Sequence, residues 1–257
     1  MGSMQFLDAT SGKPKATIRL LSLAGFLLMW KLASLWMDST ILLPSPEETF
    51  IEIWVLLRSE GFYLSLSATL VRGIAGFIIS VGSGIIVGIM AGRSAVFREF
   101  IRPYLTVIQS TPVLAIILLA LIWFPTETVP IFVSFLMGFP IVTGNLIEGI
   151  QGVDPRLMEM SRVYRLGKWK RSIYIIFPSI LPYIVAGASA ALGLSWRVVV
   201  AAEVLSQPLW GIGTGLQESK MRLETPRVFA WTLAALGLSY LTEAGFRKFV
   251  ERLKKRV

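Results

Sequence analysis

The sequence predicts an all-α membrane protein with six transmembrane helices and both termini in the cytoplasm. Hydrophobic residues make up 54% of the 257-residue chain and charged residues only 16%, and the mean hydropathy is +0.67. That composition is too apolar and too poor in charge for an ordinary soluble domain. The apolar residues form runs of bilayer length, and Lys and Arg are concentrated in alternate loops.

Six apolar runs are long enough to cross the hydrocarbon core of a bilayer. They are predicted to cover residues 18–37, 67–91, 103–124, 130–147, 173–205 and 228–246. The first run is too long for the apolar region of a signal peptide and has no Ala-x-Ala cleavage pattern, so it is interpreted as a retained span. The fifth run would be about 50 Å long as a straight helix. Its start is therefore expected to project from the membrane, with bends at Pro178 and Pro182.

The distribution of basic residues orients these spans. Eighteen Lys and Arg residues lie in the termini and in the loops after the second and fourth spans, whereas four lie on the opposite side. This bias predicts a cytoplasmic N-terminal segment at residues 1–17, a transmembrane domain at 18–246 and a basic cytoplasmic tail at 247–257. Residues 1–3 resemble a cloning remnant and are set aside. The net charge of +9 is a topology signal, and no nucleic-acid partner is expected.

Small residues and prolines predict how the spans pack and bend. Ser80, Gly84, Gly88 and Gly92 recur every four residues in the second span. They predict a ridge that a neighbouring helix approaches closely. In the third span, Pro112 is expected to kink the helix and to leave carbonyl groups that need other partners.

The connecting segments also carry predictions. The acidic loop before the second span is expected to contain an amphipathic helix over residues 46–58, because Pro46 stands at its start. Residues 93–102 and 207–227 are expected to be loops, the second because of its glycines. Lys31, near the end of the first span, is expected to extend its ammonium group to the membrane surface.

A polar, basic segment at residues 153–172 separates the fourth and fifth spans. Asp154 is a good N-cap and Pro155 fits a first helical position, so a helix is predicted to start there. At 100° per residue, its apolar and charged side chains fall on opposite arcs. The apolar arc holds Leu157, Met160, Val163 and Tyr164, and the charged arc holds Glu159, Arg162 and Arg165. The pattern fits either a helix lying on lipid headgroups or a docking helix for a cytoplasmic partner.

This segment resembles the EAA loop of permease subunits of type I ABC importers. The family pattern is Glu-Ala-Ala, three residues, Gly, nine residues, Ile, one residue, Leu-Pro, and Glu159, Ile175 and Pro178 match it without gaps. Met160 and Ser161 replace the two alanines, Phe177 replaces the leucine, and Arg165 replaces the glycine of the turn between two short helices. Gly167 could take over that turn, so two positions for it stay open.

Other short sequences place the resemblance in the branch that includes nitrate, taurine, aliphatic sulfonate and pyrimidine-precursor permeases. They occur in the family's order at residues 43–47, 72–77, 122–124, 153–155, 181–184 and 201–204, together with Thr111-Pro112. The resemblance implies the type I ABC importer permease fold in the inner membrane of a bacterium. It also implies a second permease copy, most simply in a homodimer, an ABC ATPase pair and an extracytoplasmic substrate-binding protein.

The resemblance further assigns a role to the loop at 153–172. It implies that ATP and Mg²⁺ are bound by the ATPase and that this chain needs no cofactor of its own. The residues implied in coupling to the ATPase are Asp154, Leu157, Glu159, Met160, Val163, Tyr164, Arg165 and Gly167. ATP-driven closure of the ATPases would push two such loops together and switch the path between its inward-open and outward-open forms.

The residue inventory argues against an enzyme. The chain has no Cys and no His, which removes the usual thiol nucleophile, general base and commonest metal ligand, so no catalytic or metal site is expected. It also lacks a Walker A sequence, because neither Gly-Lys pair, at residues 12–13 and 167–168, has the flanking residues. A gradient-driven secondary transporter or channel, or an accessory membrane protein, stays an alternative, although the two halves show no internal repeat.

A few polar residues inside the spans are candidates for a translocation path. Ionisable side chains at such depth usually face protein or a wet cavity, because exposure to lipid costs several kcal/mol. In one interpretation, Glu203 forms a buried ion pair with Arg72 or with Arg197. In the other, a remaining arginine lines the path of a small anionic or polar solute. The candidate path residues are Arg72, Gln109, Asn145, Trp196, Arg197 and Glu203.

Overall fold

The computed structural model describes the backbone of residues 13–254 and the side chains of residues 17–252. This part of the chain forms helices and no strand. The helices are α1 (Lys13–Met37), α2 (Pro46–Leu57), α3 (Glu60–Arg93), α4 (Ala95–Ser110), α5 (Val113–Trp123), α6 (Val129–Gln151), α7 (Pro155–Val163), α8 (Lys168–Arg171), α9 (Phe177–Ser206), α10 (Ile212–Met221) and α11 (Thr225–Lys254). A π-helical turn at Ser172–Ile176 joins α8 to α9.

Four helical segments in the described residues are long and apolar enough to cross a membrane. They are residues 17–37 in α1, all of α3, all of α6, and the continuous run at 168–206 that ends with α9. A fifth crossing is present if α4 and α5 together count as one broken span. The helix α11 covers the predicted sixth span but is not among these segments. The number of six spans and the cytoplasmic orientation of the termini therefore stay predictions, and residues 1–12 and 255–257 lie outside the described backbone.

The bundle is organised around α3, α6 and α9, and the predicted ridge of small residues lies at the contact between α3 and α6. A Cβ atom on Gly84 would lie 2.7 Å from Val142, and one on Gly88 would lie 2.8 Å from Leu146. Both distances are shorter than real carbon–carbon contacts allow, so only glycine fits there. The expected close approach of a neighbouring helix is thus confirmed.

The third predicted span is not one kinked helix. It consists of α4 and α5, which meet at an angle of 100°. Thr111 takes an extended conformation, with φ −75° and ψ 128°, because the ring of Pro112 disfavours the helical conformation of the residue before it. The expectation of a loop at 93–102 is also wrong, since α4 already begins at Ala95, with the Ser94 hydroxyl accepting a hydrogen bond from the N–H of Phe97 at 3.2 Å.

The other connecting segments give mixed outcomes. The helix predicted at 46–58 is confirmed as α2, which starts with a capping box between Ser45 and Glu48. The predicted loop at 207–227 is wrong in part, because it contains α10. Ahead of α9, the chain leaves α geometry in the π turn. There the Phe177 N–H bonds to the carbonyl of Ser172, five residues back.

The first helix lies at the periphery of the bundle. Its side chains are largely exposed, and it is attached through Trp30, whose indole N–H donates to the carbonyl oxygen of Pro44 at 3.0 Å and whose ring stacks on Phe229. Lys31 Nζ lies 2.8 Å from Glu47 Oε2. The hydrogen bond from Lys31 lowers the pKa of the Glu47 carboxyl group, which lies outside the spans.

Candidate functional site

The segment between α6 and α9 folds as the predicted short helix followed by a sharp turn. The Asp154 carboxylate accepts a hydrogen bond from the N–H of Arg156 at 2.8 Å and caps the start of α7. At the other end, Arg165 has a left-handed backbone with φ 49°. The N–H of Leu166 bonds to the carbonyl of Ser161 at 2.9 Å, and the N–H of Arg165 bonds to the carbonyl of Arg162 at 3.0 Å. This is a Schellman motif, which usually has glycine where Arg165 stands.

The turn therefore falls at the family's glycine position, and the alternative position at Gly167 is wrong. Gly167 has φ −59° and precedes α8. A left-handed conformation is disfavoured for arginine because its Cβ crowds the following carbonyl. The hydrogen bonds of the Schellman motif nonetheless hold it there.

The apolar arc of α7 faces away from the rest of the chain. Leu157 is 38% exposed, Met160 44%, Val163 80% and Tyr164 73%. Ser161, in contrast, is 1% exposed and marks the side by which α7 rests on the protein. Exposed apolar side chains rimmed by charged ones are typical of a surface that another protein or a membrane covers. Whether this arc docks to an ATPase is not tested by the structure and stays a prediction.

A second group of polar residues lies about 40 Å along α9 from its start. We call it the charged cluster: Thr69 and Arg72 of α3, Glu127 from the turn between α5 and α6, and Glu203 of α9. Arg72 Nη1 lies 2.7 Å from Glu203 Oε1, and its other terminal nitrogen contacts Glu127. Arg72 is 6% exposed and Glu203 is fully buried.

The buried Glu203 carboxylate has further donors in addition to Arg72. The hydroxyl of Thr69 donates to it at 2.8 Å, and the N–H of Gly213 donates at 3.0 Å. Arg72 Nη1 also donates to the carbonyl of Trp210 at 2.7 Å. A buried ion pair is retained only when such extra hydrogen bonds satisfy both groups. The charged cluster thus connects α3, α9, α10 and the turn before α6.

These contacts decide between the two pairings that the sequence left open for Glu203. Its partner is Arg72, and Arg197 has no ion pair or hydrogen bond among the described side chains. Arg197 is exposed on α9. Arg72 is thus held by two carboxylates, whereas Arg197 is exposed and has no partner among the described side chains.

The remaining path candidates are spread over different environments. Gln109 is exposed near the end of α4, and Asn145 is half-buried, donating to the carbonyl of Ile141 at 2.9 Å. Trp196 is 3% exposed and lies inside the bundle, because a Cβ on Gly73 would lie only 2.5 Å from its ring. The structure therefore places neither Trp196 nor Glu203 on an open surface.

Sequence reasoning missed three polar residues that the structure makes prominent. Thr69 and Glu127 complete the charged cluster, but their partners are more than 50 positions away in the chain, so no local pattern shows them. Glu243 lies within the predicted sixth span. A carboxylate in an apolar run is a signal that could have been noticed.

These features are those of a multi-pass membrane protein. It has several membrane-length helices, an exposed amphipathic helix between two of them, and a few charged groups within its apolar helices. Within the described residues, no group of Asp, Glu, His and Cys is arranged to hold a metal ion.

Comparisons with known proteins define the family. The family described as "Binding-protein-dependent transport system inner membrane component" matches residues 84–255. The chain is 29% identical over 236 residues to the putative aliphatic sulfonates transport permease protein SsuC of Bacillus subtilis, covering 90% of this chain and 84% of that protein. It is 30% identical over 212 residues to the nitrate import permease protein NrtB of Synechocystis sp., covering 79% of this chain and 75% of that protein.

The fold is also shared with a solved transporter. An amino acid ABC transporter crystallised with histidines matches with a TM-score of 0.60 at 20% identity, covering 77% of this chain and 94% of that chain. The chain belongs to the family of binding-protein-dependent transport system inner membrane components, and it is a permease subunit of an ABC importer in the inner membrane. The predicted resemblance is confirmed.

Proposed function

We propose that this permease works in a complex with a second copy of itself, a pair of ABC ATPase subunits and an extracytoplasmic substrate-binding protein. ATP and Mg²⁺ are bound by the ATPases, and this chain carries the solute by alternating access. The observation that supports the proposal is the exposed apolar arc of α7. It stands on a helix inserted directly between two membrane-length helices.

The position of α7 suits it to transmit a movement. It follows α6 after three residues, and α8 leads without interruption into α9. Beside this junction α6 and α9 are in tight contact, since a Cβ on Gly149 would lie 2.7 Å from the ring of Tyr183. Tightly packed helices move as rigid bodies, so a push on α7 would be passed to both α6 and α9. The same two helices extend towards the charged cluster at the other end of the bundle.

The solute is proposed to be small and anionic or polar. The relatives SsuC and NrtB carry aliphatic sulfonates and nitrate in their names, and both of those solutes are anions. Arg197 supports this class, because it is an exposed cation on a membrane-length helix and has no partner among the described side chains. A cation in that position lowers the energy of an anion in a low-dielectric passage.

Co-purification with the partner ATPase tests the docking role of α7. Val163→Asp and Tyr164→Asp place a charge on the exposed apolar arc, so both should abolish retention of the ATPase by the tagged permease. Glu159→Lys should also weaken it, while the permease still inserts in the membrane. The measurement is the ATPase-to-permease ratio after affinity purification.

Two variants of the same segment serve as controls. Arg162→Gln changes the opposite arc, and Arg165→Gly removes the left-handed arginine, so both should retain the ATPase at the parental ratio. If the Asp variants at 163 and 164 also retain it at that ratio, α7 is only an interfacial helix and the proposal fails.

A further inference from the structure

The last helix of the bundle, α11, changes from apolar to charged at one level. Tyr240 and Leu241 are each 69% exposed and end its apolar part. Beyond them, the exposed side chains of Glu243, Arg247 and Glu251 follow at intervals of four residues. Tyrosine is enriched where a helix passes from the hydrocarbon of a bilayer to its headgroups. This level of α11 is therefore expected to lie at the membrane surface.

A cavity of about 420 Å³ lies at the same level, between α9 and α11. Leu192 of α9 and Val250 of α11 line it and are buried, so they close its inner side. Ser189 of α9 and Tyr240 of α11 also line it, but both are exposed. The cavity is therefore open towards the outside of the bundle, where a lipid can reach it.

Three charged side chains of α11 line this cavity in the order Glu243, Arg247, Glu251. Each stands one helical turn from the next, about 6 Å apart. The Glu243 carboxylate accepts a hydrogen bond from the hydroxyl of Ser239 at 3.0 Å. The side chains of Arg247 and Glu251, in contrast, have no ion pair or hydrogen bond with any residue that the structure describes. The cavity thus offers a cation and, farther from the apolar part of α11, an anion.

The order of these groups along α11 matches the order of groups in an aminophospholipid. In such a lipid the acyl chains are followed by a phosphate and then by an ammonium group. Acyl chains that lie on Tyr240 and Leu241 would place the phosphate at Arg247 and the ammonium group at Glu251. A guanidinium group binds phosphate through paired N–H donors, and an ammonium group supplies three donors to a carboxylate.

The same arrangement disfavours two other common headgroups. The glycerol of phosphatidylglycerol brings no cation to Glu251, so that carboxylate would repel the lipid. The trimethylammonium group of phosphatidylcholine has no N–H to donate. The charges that line the cavity therefore select for a primary ammonium group.

We propose that the cavity between α9 and α11 binds the headgroup of an aminophospholipid such as phosphatidylethanolamine. Arg247 binds the phosphate, Glu251 binds the ammonium group, and the acyl chains cover the exposed apolar surface of α11. Because the headgroup contacts both walls of the cavity, the bound lipid stabilises the packing of α11 against α9. Lipid binding requires neither an ATPase nor a solute, so this proposal and the docking role of α7 can fail separately.

Thermal unfolding of the purified, delipidated full-length chain in detergent tests the site. Phosphatidylethanolamine, phosphatidylcholine and phosphatidylglycerol with identical acyl chains are added in turn at increasing concentration. We expect phosphatidylethanolamine to raise the melting temperature by about 5 °C or more and to bind at least about tenfold more tightly than the other two. Equal effects of the three lipids would overturn the proposal.

Single substitutions assign the selectivity to the cavity. Arg247→Gln should weaken binding of phosphatidylethanolamine at least about fivefold, and Glu251→Gln should remove its advantage over phosphatidylcholine. Lys248→Gln is the matched control, because Lys248 is an exposed neighbour that does not line the cavity, and it should retain both the affinity and the preference. A preference that survives in Arg247→Gln and in Glu251→Gln would contradict the assignment.

The soluble headgroup distinguishes a lipid from a free phosphate ester. O-phosphoethanolamine has the same phosphate and ammonium groups but no acyl chains to cover the apolar surface of α11. We expect it to bind the parent chain at least about a hundredfold more weakly than phosphatidylethanolamine. Stabilisation of the chain by both compounds at equal concentrations would show that the cavity takes a soluble ligand, and the lipid proposal would fail.

Discussion

Arg72 holds together the end of the bundle that is remote from α7. It is 6% exposed and contacts two carboxylates and the carbonyl of Trp210. Removing one member of a buried ion pair leaves the other charge buried without a partner, which typically costs about 3–5 kcal/mol. Glu203 would be that charge, because its side chain is fully buried.

Arg72→Met is therefore expected to destabilise the protein by about 3–5 kcal/mol. Arg72→Met combined with Glu203→Met should recover much of that loss, because no uncompensated charge remains. The measurement is thermal unfolding of the purified protein in detergent. Arg197→Gln serves as the control, since Arg197 has no partner within the described side chains. A melting temperature of Arg72→Met equal to that of Arg197→Gln would show that the charged cluster does not hold the helices together.

The partners of these charged residues show how much of their environment could be predicted from the sequence. That Arg72, Arg197 and Glu203 face protein or a wet cavity, and not lipid, was predicted from their positions in apolar runs. Which arginine pairs with Glu203 did not follow, because Arg72 and Glu203 are separated by 131 positions. The choice is made by the packing of α3 against α9, which no local pattern encodes.

The contact between α3 and α6 depends on the absence of side chains along one face of α3. Gly84 and Gly88 lie against Val142 and Leu146, with no room for a Cβ. Gly82, on the same helix, has no atom within 4 Å of an added Cβ. Two glycines of one element thus offer a matched comparison.

Gly84→Leu is expected to separate α3 from α6 and to destabilise the protein by about 3 kcal/mol or more. Gly82→Leu should be neutral or stabilising by up to about 1 kcal/mol, because leucine favours a helix over glycine. Thermal unfolding in detergent measures both effects. Equal stability of the two variants would contradict the close packing of these helices.

Helix starts and helix contacts could be predicted from the sequence where neighbouring residues alone determine them. The start of α2 at Pro46, the start of α7 after Asp154 and the ridge on α3 all depend on neighbouring residues, and each appears in the structure. The right angle between α4 and α5 was only partly predictable. Pro112 marked its position, but the direction of the bend depends on what each helix packs against.

The helix α10 was not predicted from the sequence, because glycines such as those in its segment are typical of a loop. Their role is to allow close packing, since a Cβ on Gly213 would lie 2.4 Å from the carbonyl oxygen of Val200 and one on Gly215 would lie 2.4 Å from the ring of Trp231. Glycine lowers helix propensity. Tertiary contacts with α9 and α11 outweigh that preference here.

On the scale of the whole molecule, the exposed apolar arc of α7 lies at one end of α6 and α9, and the charged cluster lies at the other end. Two exposed charged residues, Arg197 of α9 and Glu243 of α11, lie between these two ends. In the proposed mechanism, ATP hydrolysis by a separate subunit acts on the apolar arc of α7 and opens the bundle to the solute. A gradient-driven transporter would need neither the ATPase nor α7.

Uptake into proteoliposomes that contain the complex with its binding protein distinguishes these mechanisms. ATP and Mg²⁺ are enclosed or omitted, and labelled 2-aminoethanesulfonate, ethanesulfonate and nitrate are supplied in turn. We predict uptake of at least one of these solutes only with enclosed ATP, its loss in Val163→Asp at equal amounts of inserted permease, and parental uptake in Arg162→Gln. Uptake driven by an ion gradient without ATP, or an unchanged rate in Val163→Asp, would contradict coupling through α7.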